Sequence, residues 1–219
     1  MFNRTKITAM SCVAGIFSIL AAPALAHPHI FAQARLEVET AADGTIVELR
    51  NVWRFDEVFS ASVVMDYDTN RNLTLEPEEL AEVGAIVRDS LADFNYYTTL
   101  IDNGADLAVK RPAQIHADYQ DGQLLLIFAV EPERTLALDG TVSVGVYDPT
   151  MYAAIDFATD ADLVVTGAAA DRCATRIVRP DPDQVIAENQ DSLTEAFYET
   201  DGANDLSKLF ATRIEFTCG

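Results

Sequence analysis

Basic residues are scarce in this chain. Fifteen Lys and Arg stand against thirty-five Asp and Glu in 219 residues, a formal net charge of −20. Phosphate backbones would be repelled, which excludes nucleic acid as a partner. The same charge keeps the chain soluble and concentrates cations near its surface. Catalytic signatures are also missing. There is no Gly-x-Ser-x-Gly elbow, no phosphate-cradling glycine loop and no His-Glu-x-x-His helix. Carboxylates are plentiful but no pair stands out, so no catalytic residue is assigned and the chain is read as a non-enzyme. Histidine is rare, with three, as is cysteine, with three. Each therefore carries more information than any single carboxylate.

What is present begins at the first residues. Arg4 and Lys6 precede the apolar run Ala9 to Leu20, and Ala24-Leu25-Ala26 gives small residues at the spacing of a signal-peptide cleavage site. The run is shorter than the ~20 residues of a bilayer span. Residues 1–26 are therefore expected to be a cleaved leader, with no membrane insertion afterwards and a periplasmic destination. Residues 27–219 would form one α+β domain. Cys12 lies in the leader, leaving Cys173 and Cys218 in an oxidising compartment. Both sit in alternating segments. Cys173, Thr175 and Ile177 share one strand face, and Ile214, Phe216 and Cys218 share another. A disulfide between them is the expected outcome, stabilising by about 3–4 kcal/mol in the loop-entropy picture.

Residues 30–41 and 45–55 alternate on either side of Asp43-Gly44, the pattern of a β-hairpin. From Asp56 the period becomes helical, and Leu80, Val83, Val87, Leu91 and Phe94 form one apolar stripe. Strands resume near Thr98, with hairpin turns at Asn103-Gly104 and Asp121-Gly122 and a further turn at Asp148-Pro149. Pro180-Asp181-Pro182 ends a strand and starts a C-terminal helix in which Val185, Ile186, Leu193 and Phe197 are expected to face the core. The fold class expected is α+β: a mostly antiparallel sheet, an EF-hand-like helix-loop-helix inserted at 55–95, and a C-terminal helix.

Two metal sites are suggested. Asp68, Asn70, Asn72, Thr74 (through its carbonyl), Glu76 and Glu79 occupy the first, third, fifth, seventh, ninth and twelfth positions of a calcium loop. Leu73 stands at the sixth position, where glycine accommodates a sharp turn at positive φ. Weak Ca²⁺ binding is the expectation. The second site is the new chain end, His27-Pro28-His29, where two imidazoles and an α-amine suit Zn, Ni, Co or Cu. Pro28 has no amide hydrogen to lose, which closes the familiar amino-terminal copper/nickel chelate. A further ligand must come from the fold, with His116, Asp148 and Asp56 as candidates.

These pieces, in order, resemble a known family. His-Pro-His at the mature start is followed by Trp53-Arg54-Phe55-Asp56-Glu57-Val58-Phe59-Ser60, the Asp68–Glu79 loop, and Val146-Tyr147-Asp148-Pro149-Thr150-Met151-Tyr152. The resemblance is to bacterial periplasmic proteins catalogued as a component of an ABC-type transport system, often encoded near nickel/cobalt-exporter-type permeases. It implies export, association with transition-metal traffic and an inner-membrane metal permease as partner. The reading is a periplasmic metal-binding accessory protein of transition-metal transport. The alternatives are an exported calcium-binding or structural module, or a copper enzyme built on a His27 brace.

Mass spectrometry of the exported protein is expected to read His27 as the first residue. The intact mass should be lighter than the reduced chain by the hydrogens that a Cys173–Cys218 disulfide removes. A start beyond His29 would eliminate the terminal metal site.

Overall fold

The computed structural model of the chain describes residues 28–192 and 207–218. The expected leader, His27, Leu193 and Phe197 lie outside these residues. Strands β1 (Ile30–Thr40) and β2 (Ile46–Phe55) form the expected hairpin, pairing Ala34 with Trp53 and Leu36 with Asn51. Alternation sends Leu36, Val38, Leu49 and Trp53 into the core, while Arg50 stays outside and pairs with Glu37, Glu39 and Glu48. Gly44 at φ +87 makes the turn, and Asp43 closes it by accepting from the N–H and hydroxyl of Thr45.

Helix α1 (Glu57–Tyr67) starts where Asp56 accepts the backbone N–H groups of Val58 and Phe59. Helix α2 (Pro77–Ser90) starts with proline in its first turn and a reciprocal Glu76–Glu79 capping box. A helix-loop-helix is thus present at the expected place. Its apolar stripe stops sooner than the spacing suggests. The chain leaves the helix at Leu91 and passes through left-handed Asn95, Tyr96 and Tyr97, at φ 51, 52 and 53, in a short 3-10 segment (Ala92–Tyr97). The Asn95 side chain stabilises this departure, donating to the Thr98 carbonyl and accepting from the Val109 N–H. Phe94 is consequently 40% exposed instead of continuing the stripe.

The remaining chain supplies β3 (Thr98–Asp102), β4 (Ala105–Asp106), β5 (His116–Gln120), β6 (Gln123–Val130), β7 (Gly140–Val146), β8 (Ala153–Asp156), β9 (Leu163–Gly167), β10 (Ala174–Val178), α3 (Pro182–Glu188) and β11 (Arg213–Cys218). Among the described residues these form two sheets. One has the order β5-β6-β2-β1-β8, with β9 on the later part of β1; the other has the order β10-β11-β7-β3-β4. Pairing is antiparallel except that β8 and β9 both run parallel to β1. The fold is α+β with mostly antiparallel sheets, as expected, but the strands divide between two layers. One continuous core joins Leu36, Trp53 and Phe128 of the first sheet to Leu100, Val144 and Phe216 of the second.

The helical pair packs on the same core. Ser60, wholly buried, donates to the Asp56 carbonyl and accepts from the Leu124 N–H, tying α1 to β6. Helix α3 starts where expected, capped by Asp181, but Ile186 is 50% exposed, so its described turns bury little of the expected face. No helix among the described residues is long and apolar enough to cross a membrane.

Gly84 sets the distance between α2 and the chain entering β5. A Cβ there would lie 2.1 Å from the Ile115 carbonyl oxygen. Gly→Ala ordinarily favours a helix by up to ~1 kcal/mol, whereas forcing an atom against backbone costs about 1–3 kcal/mol. The second effect should win. Gly84→Ala is expected to lower the urea midpoint; an unchanged or raised midpoint would mean that the helix lifts freely.

Candidate metal-binding ends and loops

Three of the predicted ligand positions converge on the start of β1. The His29 N–H donates to the Tyr152 carbonyl at 2.9 Å, and the two rings lie 5.0 Å apart. Next along the strand, Phe31 exchanges two bonds with Asp56. Its N–H donates to Asp56 Oδ2, and its carbonyl accepts the Asp56 N–H, both at 2.9 Å. Asp56 is therefore a helix cap and a strand clamp at once. Burial would raise its carboxyl, but backbone donors at Phe59, Phe31 and Val58 prevail and hold it below the usual carboxylate range.

On the opposite flank of β1 lies Asp148, 4% exposed. Oδ1 accepts the N–H and hydroxyl of Thr150, and Oδ2 accepts the Ala153 N–H that opens β8. The Tyr97 hydroxyl is hydrogen-bonded to the same carboxylate; burial and the adjacent Asp148 charge push its pKa up. Tyr97 in turn stacks on Trp53, with centroids 6.0 Å apart. Tyr97 and Tyr152 thus complete this corner, and neither was singled out from the sequence. The available signal was Tyr152 in the Tyr147–Tyr152 motif; Tyr97 gave none, because its role depends on the left-handed segment.

His116 belongs elsewhere. It is exposed on β5 opposite Ile127, which pairs onward with Val52, itself opposite Arg35. There it lines a cleft of about 780 Å³ on the outer sheet face with Arg35, Arg50, Lys110 and Arg111. Its alternation with Ile115 and Ala117 in the sequence already implies a solvent face; its distance from the terminus comes only from the strand order. His27 lies outside the described residues. Among the described residues, no group of three or more His, Cys, Asp or Glu is placed to hold a metal ion. His29, Asp56 and Asp148 share one end of the sheet without forming a closed coordination shell, and both carboxylates already accept backbone donors.

In the Asp68–Glu79 loop, Asp68 Oδ1 accepts from the N–H groups of Arg71 and Asn72, and Oδ2 accepts from Leu73. Asn70 and Asn72 each turn a side-chain oxygen onto the N–H two residues ahead. Side-chain oxygens thus organise the turn from within. Asn72 also donates to Glu76. Glu79, at the twelfth position, points into the loop. Oε1 accepts from the hydroxyl and N–H of Thr69, and Oε2 from the Glu76 N–H. The Thr69 hydroxyl, then the Glu76 and Thr69 backbone donors, hold its carboxyl down at about 2. Because the folded value is depressed, this contribution is present above the ordinary carboxylate range. It fades as pH falls from there through about 2. Leu73 does adopt the left-handed turn, at φ 64, with its side chain 81% exposed.

Cys173 is disulfide-bonded. The β10–β11 register, with Ala174 opposite Thr217, carries residues 173 and 218 to facing ends of the two strands.

A family model described as "Protein of unknown function (DUF1007)" matches residues 12–218. The chain belongs to this DUF1007 family. A DUF1007 relative in sequence, an uncharacterized protein of Haemophilus influenzae, is 27% identical over 201 residues, covering 89% of this chain and 92% of that one. Among solved structures, the acetylcholine-binding protein type 1 of Biomphalaria glabrata overlaps with a TM-score of 0.38 at 9% identity, covering 91% of this chain and 90% of that one. A Capitella teleta acetylcholine-binding protein in complex with lobeline gives 0.28 at 10% identity, covering 88% and 85%. At such overlaps neither fold nor function carries over to the DUF1007 chain.

Leu73→Gly tests whether the loop is strained at its sixth position. Relief of the left-handed penalty, about 1–2 kcal/mol, exceeds the entropic cost of glycine, about 0.5–1 kcal/mol. The variant is expected to raise the melting temperature modestly and to tighten Ca²⁺ uptake in calorimetry. If neither form takes up Ca²⁺ at millimolar concentration, the loop is a helix connector only.

Proposed function

We propose that this protein is an exported metal-binding accessory of transition-metal transport, presenting divalent Zn, Ni, Co or Cu to an inner-membrane permease. The observation that carries the reading is the anchoring of His29. Its N–H is bonded to the carbonyl of Tyr152, the residue before β8, at the corner where Asp56 and Asp148 flank β1. Two imidazoles and an amine at that corner would supply the nitrogen donors that late first-row metals favour. Nearby carboxylates give the corner a charge that attracts cations. The resemblance to periplasmic components encoded beside metal permeases supports the transport role. The chain's acidity suits a carrier of cations and argues against anionic cargo.

A second reading has its own support. The left-handed Leu73 and the inward-turned oxygens of Asp68, Asn70 and Asn72 favour an oxygen-lined calcium loop. Ca²⁺ there would brace the two helices and leave the terminal nitrogen site to a softer metal.

The deciding measurement is metal titration of exported protein bearing His27 as its first residue. Transition-metal affinity is expected to fall as pH drops through about 6–7, where imidazoles protonate and cease to coordinate. Substituting His27→Ala with His29→Ala should abolish tight uptake and leave the circular dichroism spectrum intact. A double variant that binds zinc, nickel and copper as the parent does would place the site elsewhere. Stoichiometric Ca²⁺ without any transition metal would favour the second reading.

A further inference from the structure

Helix α1 is apolar on both sides. Its inner side buries Ser60, Val63 and Val64. At about 100° per residue, the outward arc holds Glu57, Val58, Ala61, Ser62, Met65 and Asp66, all of them exposed. Val58 and Met65, two turns and about 10 Å apart, occupy the middle of that arc, and each is 83% exposed. Glu57 and Asp66 stand at its two borders. The apolar line continues past the helix. Asp68, the C-cap one turn beyond Met65, accepts the N–H of Leu73, whose side chain is 81% exposed.

The middle of an outward arc is where a water-facing helix carries its charge. The neighbouring α2 does so, with Glu78, Glu82 and Asp89 exposed there. Single exposed apolar side chains are ordinary, but a line of three along one helix and its loop marks a contact surface. What covers it follows from the borders. Helix α1 contains no Lys or Arg, whereas a helix that lies on a lipid surface carries them on its polar face. A second copy of the chain, related by a twofold axis, would set the Glu57 and Asp66 borders of one α1 against the same borders of the other. Like charges brought together in this way oppose binding. An apolar stripe bordered by Lys and Arg suits both the middle of the arc and its edges.

We propose that the outward face of α1, with Leu73 beyond it, docks a basic amphipathic helix of another protein, whose apolar stripe covers Val58 and Met65 and whose Lys and Arg meet Glu57 and Asp66. Helix-on-helix docking reads as anchors at i, i+3, i+4 and i+7, and Val58, Ala61, Ser62 and Met65 have that spacing. The small Ala61 and Ser62 leave grooves beside the two longer side chains, which lets a second helix approach closely. The charged borders steer the encounter and choose the partner, while the desolvated centre sets how long it lasts. No ligand of the proposed metal terminus belongs to this face, so the two stand or fall separately.

From His27 onward methionine occurs only at 65 and 151, so protein labelled at its methionine methyls gives two peaks, one of them on α1. The full chain from His27 would be titrated with a Leu/Lys peptide of about fifteen residues, long enough to form a helix, its leucines at helical spacing. A counterpart with Glu for every Lys serves as the control. Salt is held at about 0.15 M, where exposed charges are screened beyond ~8 Å. The Leu/Lys peptide is expected to shift the Met65 peak saturably, and the Leu/Glu peptide to leave it in place. Val58→Ser with Met65→Ser, both at outward positions that the fold does not use, should weaken Leu/Lys binding in calorimetry at least about tenfold. Absence of a saturable Met65 shift would overturn the proposal, as would equal binding of the two peptides. So would a double variant that binds as the parent does, since the peptide would then be held by net charge alone. A Met65 peak that moves with protein concentration by itself would assign the face to a second copy. One that moves with phosphatidylethanolamine/phosphatidylglycerol vesicles would assign it to lipid, and either result overturns the proposal.

Discussion

The first residues of β1 are held on one side by the Asp56 carboxylate and on the other by β8, whose start Asp148 fixes, and the architecture depends on this clamp. Asp56 accepts from β1 with one oxygen and from the first turn of α1 with the other. A single side chain thereby fixes where the sheet ends, where the helix begins, and the angle between them. Asp148 does the same on the other flank, closing its own turn while starting β8 alongside Ile30. β1 is consequently an interior strand, with β2 on one edge and β8 followed by β9 on the other. Both sheets and the helical pair meet around it.

Much of the acidity that looks like surface decoration is structural. Asp43, Asp56, Asp68, Asp148, Asp162 and Asp181 each accept backbone N–H groups at a turn or a helix start. A carboxylate in this role makes a stronger hydrogen bond than a neutral acceptor would. Asp43, Asp56 and Glu79 all have carboxyls below their ordinary range. Their sign is the same. Depressed folded values mean stability that is complete at neutral pH and declines as acid protonates these groups. Turns built this way fail together in acid, whereas turns held by glycine and proline geometry would not.

Local signals were legible in the sequence because their causes are local. Alternation at Ala34, Leu36 and Val38 needs only the pleat, and Asp56 marks a helix start by accepting backbone donors within one turn. The end of α2 was not legible. The spacing through Phe94 is arithmetically helical, and only the bonds of Asn95 to Thr98 and Val109 draw the chain away. The parallel placement of β8 and β9 against β1 was hidden for a similar reason, since it depends on where the chain returns after visiting the second sheet. At the candidate site, Asp56 and Asp148 read as an ordinary cap and an ordinary turn residue. They are both of these, and their convergence arises from β1 alone. His116 shows the converse: its strand face was right, but two intervening strands separate it from β1.

The parallel pairing of β8 with β1 has a mechanical consequence for the chain end. Because the His29 N–H is bonded to the Tyr152 carbonyl, a chain cleaved after Ala26, as proposed, would begin two residues from this fixed point. Two residues reach at most about 7 Å. In that proposed form the His27 ring and amine would stay leashed near His29, which raises their local molarity there. Lengthening the leash by even a few residues would dilute that advantage without altering a single contact in the fold.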